Sequence, residues 1–163
     1  MANQRRWIES CKERGEWAEL CFMAKAAEHG LRVSKPYGES ASYDVGVEQD
    51  GRILRVQVKS TVYRRRGVDS YSLNVHGPRR QLYREGTIDF FAIYLIPIDT
   101  WYIFPFERIG KNFSLHFTVG SKRQKYEEFR EAWHLLRERE KVCPYTEGVP
   151  PCEVGSRGLG ARG

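Results

Sequence analysis

Residues 42–61 read Ser-Tyr-Asp-Val-Gly-Val-Glu-Gln-Asp-Gly-Arg-Ile-Leu-Arg-Val-Gln-Val-Lys-Ser-Thr, two alternating apolar runs joined at Asp50-Gly51. An Asp-Gly pair between such runs signals a tight hairpin, because both turn positions need positive φ. Side chains alternate across a strand, so Leu54, Val56 and Val58 take one face, predicted to be buried, and Gln57 and Lys59 project from the other. On the first strand Tyr43, Val45 and Val47 form one set and Asp44 falls in the other. Paired this way, the hairpin brings a carboxylate, an amide and an ammonium to one spot. Such a cluster can hold a divalent cation beside a phosphate. A plain cross-strand ion pair between Asp44 and Lys59 is the competing reading.

Around this hairpin the chain alternates helix and strand signals. Residues 13–29 are predicted to be a helix, with Trp17, Leu20, Cys21, Ala24 and Ala27 at helical spacing and Gly30 as its C-terminal stop. Leu31 and Val33 begin a short extended segment that ends near Pro36-Tyr37-Gly38. Tyr71, Leu73 and Val75 alternate as a strand, and residues 78–85 are predicted as a short helix with Pro78 at its start. Residues 90–96 are the best buried strand and pair with 101–104 across Pro97-Ile98-Asp99-Thr100; residues 115–119 add another. Residues 122–140 are predicted as a second long helix, with Tyr126, Phe129, Trp133 and Leu136 three and four apart. From Cys143 the chain turns rich in Gly and Pro, which divides it into one domain over 1–142 and a disordered tail over 143–163. The fold class is α/β (α+β), a central mixed sheet flanked by helices.

Composition excludes several function classes. No apolar run in the 163 residues reaches membrane-spanning length, and residues 1–6 are too polar for a signal peptide, so a cytoplasmic protein without a membrane partner is expected. The four cysteines form no close Cys-x-x-Cys pair, so structural zinc is not expected, and the four scattered histidines carry no catalytic pattern. A net charge of +6 favours polyanionic partners.

Asp44, followed after an interval by Gln57-Val58-Lys59, resembles the PD-(D/E)xK nuclease signature, with Gln where Asp or Glu is usual. Gly15-Glu16-Trp17-Ala18-Glu19-Leu20 on the preceding helix is similar to archaeal Holliday-junction resolvases and their relatives. Lys35 to Asp44, Arg55 to Thr61, Ile88 to Tyr94 and Trp101 to Pro105 resemble a bacterial branch that includes homing endonucleases of group I introns. The resemblance implies a restriction-endonuclease-like core, bacterial origin, endonuclease action on double-stranded DNA, and a homo-oligomer, dimer or tetramer. It also implies Glu19 as the helix carboxylate of the site, with Glu16 one turn earlier as its rival.

The chemistry supports the same assignment. Phosphodiester hydrolysis needs an activated water and charge stabilisation, which magnesium supplies through hard oxygen ligands, with manganese able to substitute. Asp44 is the central ligand, and Lys59 serves the scissile phosphate or the attacking water. Gln57 ligates through a neutral amide oxygen, so the site needs the second carboxylate from the helix. Val58, between two site positions, offers its backbone carbonyl. For DNA contacts the expected residues are Arg64, Arg65 and Arg66, directly after the motif strand, with Ser60 and Thr61. The other basic clusters, Arg79-Arg80 with Arg84, Arg108 with Lys111, and Lys122-Arg123 with Lys125, are left unassigned. Two further readings stay open: a non-catalytic DNA-binding protein on the same scaffold, and a junction-resolving or repair nuclease.

Overall fold

The structure, a computed structural model, describes residues 10–64, 70–120 and 124–137. Helix α1 (Cys11–Glu28) opens at Ser10, whose hydroxyl accepts from the Glu13 amide. It closes at His29, after which Gly30 (φ 75°) and Leu31 donate to the Ala27 and Ala26 carbonyls. That is a Schellman stop, and it turns the chain into β1 (Val33–Ser34).

The hairpin forms where predicted. Strands β2 (Val45–Gln49) and β3 (Arg52–Thr61) pair with Val45 opposite Val56 and Gln49 opposite Arg52. Asp50 and Gly51 both take positive φ (49° and 76°), the geometry of a type I′ turn, whose twist matches that of the flanking strands. The other strands are β4 (Ser70–Asn74), β5 (Phe90–Leu95), β6 (Thr100–Pro105) and β7 (Ser114–Thr118), with a short helix α2 (Phe106–Ile109) after β6. The main sheet has the order β1-β2-β3-β5-β6, and only the β3–β5 pair is parallel. A parallel neighbour cannot be reached through a tight turn, so the chain leaves the sheet after β3 and returns at β5. On that excursion β4 pairs with β7 in a separate two-stranded ribbon.

Each face of the main sheet therefore has its own core. On one, Ala18, Phe22 and Ala26 of α1 pack on Val45, Val47, Leu54, Val56 and Val58, with Trp101 and Trp133. On the other, Phe91, Ile93 and Leu95 pack with Tyr71 and Leu73 of β4 and Leu115 and Phe117 of β7. Gln57 and Lys59 lie opposite Phe91 and Ile93 in the register, so they occupy this second face at its polar end. No helix among the described residues is long and apolar enough to cross a membrane.

Three expectations are corrected. The buried stripe of α1 is Ala18, Phe22 and Ala26; Ala24 and Ala27 are exposed and Leu20 is 62% exposed. Helical spacing fixed the period of the stripe but not its phase, and the four-residue spacing of Ala-Phe-Ala gives the closer fit to a sheet. The predicted helix over 78–85 is reduced to a single 3-10 turn, Pro78–Arg80, because Arg79 and Arg80 adopt left-handed backbone.

The second long helix does not form over its described residues either. Glu127–Phe129 and Trp133–Leu136 are separate 3-10 turns, and Arg130 bridges to Tyr102 on β6. Phe129 is buried in one core and Trp133 and Leu136 in the other, which one straight helix could not achieve. Glu131 (φ 48°) makes the break: its carboxylate accepts from the Trp101 amide and the Trp133 indole, each at 2.7 Å. The proposed boundary of the tail lies outside the described residues.

The parallel junction is fastened by Arg55 and Asp89. Asp89 accepts from the Arg55 amide (2.7 Å) and twice from its guanidinium (2.9 and 3.0 Å), while its own amide donates to the Arg55 carbonyl. Burial alone would raise the Asp89 carboxyl, but the side-chain and backbone hydrogen bonds from Arg55 outweigh it and hold the carboxyl below its usual range. Folding thus favours the ionised form, a contribution present above the unfolded-state pKa and lost as pH falls through the folded-state value. We predict that Asp89→Ala lowers stability by about 1–2 kcal/mol at pH 7 in urea titrations, allowing for its partial exposure, and by less near pH 3.

Candidate functional site

Asp44 closes the hairpin at its open end, its amide donating to the Val56 carbonyl at 3.0 Å. That bond turns the half-buried carboxylate onto β3, where one oxygen accepts from the Val58 amide (2.8 Å) and from the side-chain amide of Gln57. Gln57 is only 8% exposed. At this depth an amide does what a carboxylate could not: it adds no second negative charge beside Asp44 and donates a hydrogen bond to it.

Lys59, two residues on, does not form the cross-strand ion pair with Asp44. Its ammonium donates to the His76 carbonyl (3.3 Å) and lies 5.3 Å from the centre of the Tyr83 ring, a cation–π placement. Burial lowers its pKa, with the Asp44 charge pulling the other way. Burial also pushes the Tyr83 hydroxyl up to about 12, with the Asp44 charge adding to the shift.

From α1, Glu19 faces inward. Its side chain is 20% exposed and ion-paired with Lys35, whereas the Glu16 side chain is 62% exposed and lies 4.0 Å from Lys12. The Asp44 carboxyl is pushed up to about 6, by burial first; the Val58 amide opposes this, Glu19 adds to it, and Lys59 and Lys35 oppose it. Asp44, Gln57, Lys59 and Glu19 are thus brought to one place, with Val58 between two of them.

The expected DNA-contact residues divide. Ser60 is half-buried; Thr61 is buried, donating to the Ser72 carbonyl (2.9 Å) and accepting from the Tyr63 amide (3.0 Å), so its hydroxyl ties β3 to β4. Arg64 is exposed and bridges to Tyr71, and residues 65–66 lie outside the described residues. Lys35, the His76 carbonyl and Tyr83 were not anticipated. No spacing signal could have revealed them, because each meets the site through a loop.

A match to the PD-(D/E)XK endonuclease model spans residues 9–136. The chain belongs to the PD-(D/E)XK endonuclease family. Among solved structures it is similar to the bacterial homing endonuclease I-Ssp6803I, with 29% identity, TM-score 0.67, and coverage of 78% of this chain and 91% of that one. Hjc, a Holliday junction resolvase from the archaeal hyperthermophile Archaeoglobus fulgidus, is a weaker likeness at 16% identity and TM-score 0.43, covering 65% and 84% of the two chains. No curated protein matches. The architecture, a central mixed sheet with flanking helices, is the restriction-endonuclease-like fold.

The donor set suits a hard cation better than a soft one. Among the described residues no three His, Cys, Asp or Glu side chains cluster as a metal cage. Two carboxylates, an amide oxygen and a backbone carbonyl match an ion that keeps several waters, as magnesium does. The opposition of burial and Glu19 to the Asp44 charge is what a bound cation would relieve.

Two predictions follow from this balance. Folding raises the Asp44 carboxyl from 3.8 to about 6, so the metal-free protein loses stability as pH rises through that window. Asn at the same position keeps an acceptor for both donors, so Asp44→Asn should stabilise the metal-free protein by about 1–3 kcal/mol at pH 8 in chemical denaturation. The difference should vanish near pH 4. Conversely, Gln57→Glu removes a donor and adds a buried charge. It should cost about 1–3 kcal/mol at pH 8 in EDTA. Magnesium should then raise the thermal midpoint of this variant more than that of the wild type.

Proposed function

We propose that this protein is a magnesium-dependent endonuclease that hydrolyses phosphodiester bonds in double-stranded DNA. The observation that carries the reading is the convergence of Asp44, just before β2, with Gln57 and Lys59 of β3 and Glu19 of α1 in an endonuclease-family fold. Asp44 and Glu19 would hold the cation by carboxylate oxygens, Gln57 by its amide oxygen and Val58 by its carbonyl. Manganese would substitute, as it accepts the same donors. When bound, the cation supplies Lewis-acid stabilisation of the phosphate and a more acidic water.

Lys59 supplies what the carboxylates cannot. Its ammonium is held away from bulk water against a carbonyl and a ring face, so its charge is little screened where negative charge develops on the phosphate oxygens. As the water oxygen bonds to phosphorus and gives up a proton, one ester P–O bond breaks and its oxygen leaves as an alcohol after taking up a proton; Lys59 would serve either the phosphate or the attacking water. Lys35 pairs with Glu19 and holds its carboxylate in place.

The similarity to a homing endonuclease over 91% of that chain supports a site-specific enzyme as the finer reading. A long target site exceeds what one domain of this size can cover, which favours a dimer or tetramer. On this reading Ser60, Arg64, Arg65 and Arg66 would contact the DNA and the enzyme would work in a bacterial cytoplasm. Thr61 then acts only through the β3–β4 junction.

The test is cleavage of plasmid, linear duplex and four-way junction DNA in magnesium or EDTA. Wild type should cut only with magnesium, and Asp44→Asn, Glu19→Gln and Lys59→Ala should each lose about 100-fold or more. Glu16→Gln should cut normally, and Lys59→Ala should retain magnesium affinity in calorimetry. Undiminished cutting by Asp44→Asn would overturn the site. Sequence-independent cutting of junctions alone would make it a resolving enzyme.

A further inference from the structure

The loop that anchors Lys59 also carries a pair of arginines in an unusual state. Gly77 to Gln81 form a closed turn, with the Gly77 amide donating to the Gln81 carbonyl (2.8 Å) and the Gln81 amide to the Pro78 carbonyl (3.2 Å). At its tip Arg79 and Arg80 both adopt left-handed backbone (φ 54° and 59°), a conformation costly for residues with a Cβ and rare twice in succession. Both ends of the turn meet the Lys59 ammonium. His76, just before it, gives its carbonyl to Lys59, and Tyr83, just after it, lies under the same ammonium. The Tyr83 ring also packs against the turn, since a Cβ built on Gly77 would lie 3.5 Å from its Cζ.

The side chains at the tip have nothing to do within the fold. The side chains of Arg79, Arg80 and Arg84 are exposed and have no hydrogen-bond or ion-pair partner among the described residues. The other described arginines are all engaged: Arg32, Arg55, Arg108 and Arg130 with carboxylates, and Arg14, Arg52, Arg64 and Arg137 with other groups. The unengaged ones are therefore confined to one loop, and that loop is fastened to the site lysine.

We propose that the Gly77–Gln81 turn is a backbone grip for the substrate strand, in which Arg79 and Arg80, extended by Arg84, bind DNA phosphates flanking the one presented to Lys59. The inference rests on the nuclease reading and adds to it the surface that registers the strand. Guanidinium forks suit phosphate oxygens, and contacts to phosphate fix register without reading sequence. Because the turn and the ammonium share their supports, a strand seated on the arginines is positioned relative to Lys59 and not merely attracted to the protein.

The test is fluorescence anisotropy of a labelled mixed-sequence duplex in EDTA, where nothing is cut, between 50 and 200 mM salt. The variant is Arg79→Asn with Arg80→Asn, because asparagine tolerates left-handed backbone and preserves the turn. Its thermal midpoint should equal or exceed that of wild type. Its affinity should fall roughly 10-fold, and the slope of log K against log salt should shrink by about 2, near one unit per lost phosphate contact. Arg84→Gln should shrink the slope by about 1. The control is Arg32→Gln with Arg108→Gln, which removes equal charge from paired positions and should leave the slope near that of wild type.

An unchanged slope and affinity in the asparagine variant would overturn the grip while leaving the nuclease reading intact. An equal fall in the control would also overturn it, reducing the effect to overall charge. A wild type that binds no duplex under these conditions would overturn both readings. Where cleavage is measured, the asparagine variant should raise KM and also lower kcat, because the turn both holds the strand and sets its position relative to Lys59.

Discussion

The parallel pairing of β3 with β5 is the constraint on which the rest depends. It makes β3 an interior strand, so its alternation places apolar residues under α1 and polar residues under the ribbon of β4 and β7. It also obliges the chain to leave the sheet after β3, because no short turn joins parallel neighbours. The excursion that results supplies β4, the His76 carbonyl, the arginine turn and Tyr83. The Arg55–Asp89 clamp sits where the two parallel strands begin and ties the register of the site strand to the returning one. A face assembled in this way inherits its accuracy from the sheet, with loops attached only at its margin.

Burying these charges is costly. Asp44 is held above its ordinary range mainly because it is buried, and Lys59 is lowered for the same reason. The fold tolerates this through local compensation: the Val58 amide and Gln57 support Asp44, Lys35 balances Glu19, and a carbonyl and a ring face receive Lys59. Gln57 has a particular place in that balance. A carboxylate there would set a second buried charge beside Asp44, whereas the amide adds no charge and donates a hydrogen bond to it.

The edges of the sheet show the same economy of polar groups. At β6 the Trp101 amide and carbonyl would face solvent, but Glu131 takes both, accepting from the amide with its carboxylate and donating its own amide to the carbonyl. The segment that follows thereby covers an edge that could otherwise pair with another chain. It also delivers Trp133 to the α1 core, beside Phe22 and Trp101. Residues 127–136 trade helical hydrogen bonds for docking, giving Phe129 to one core and Trp133 and Leu136 to the other.

Sequence by itself determined what local periodicity and turn chemistry can encode. Asp50-Gly51 specified the hairpin, alternation assigned Gln57 and Lys59 to one face and Val56 and Val58 to the other, and the motif residues with Gly15 to Leu20 indicated the family. Periodicity does not carry phase or termination where long-range contacts outweigh it. That is why the α1 stripe was misplaced and a helix was expected over 122–140, where Glu131 and the division of Phe129 and Trp133 between two cores break it. Only tertiary structure decided that Glu19 and not Glu16 is turned inward against Lys35, that Thr61 is committed to β4, and that the loop bearing Arg79 and Arg80 is fastened to Lys59 through the His76 carbonyl. Each of these depends on where a distant segment returns to the sheet. That return is set by the packing of two cores at once, and no local spacing records it.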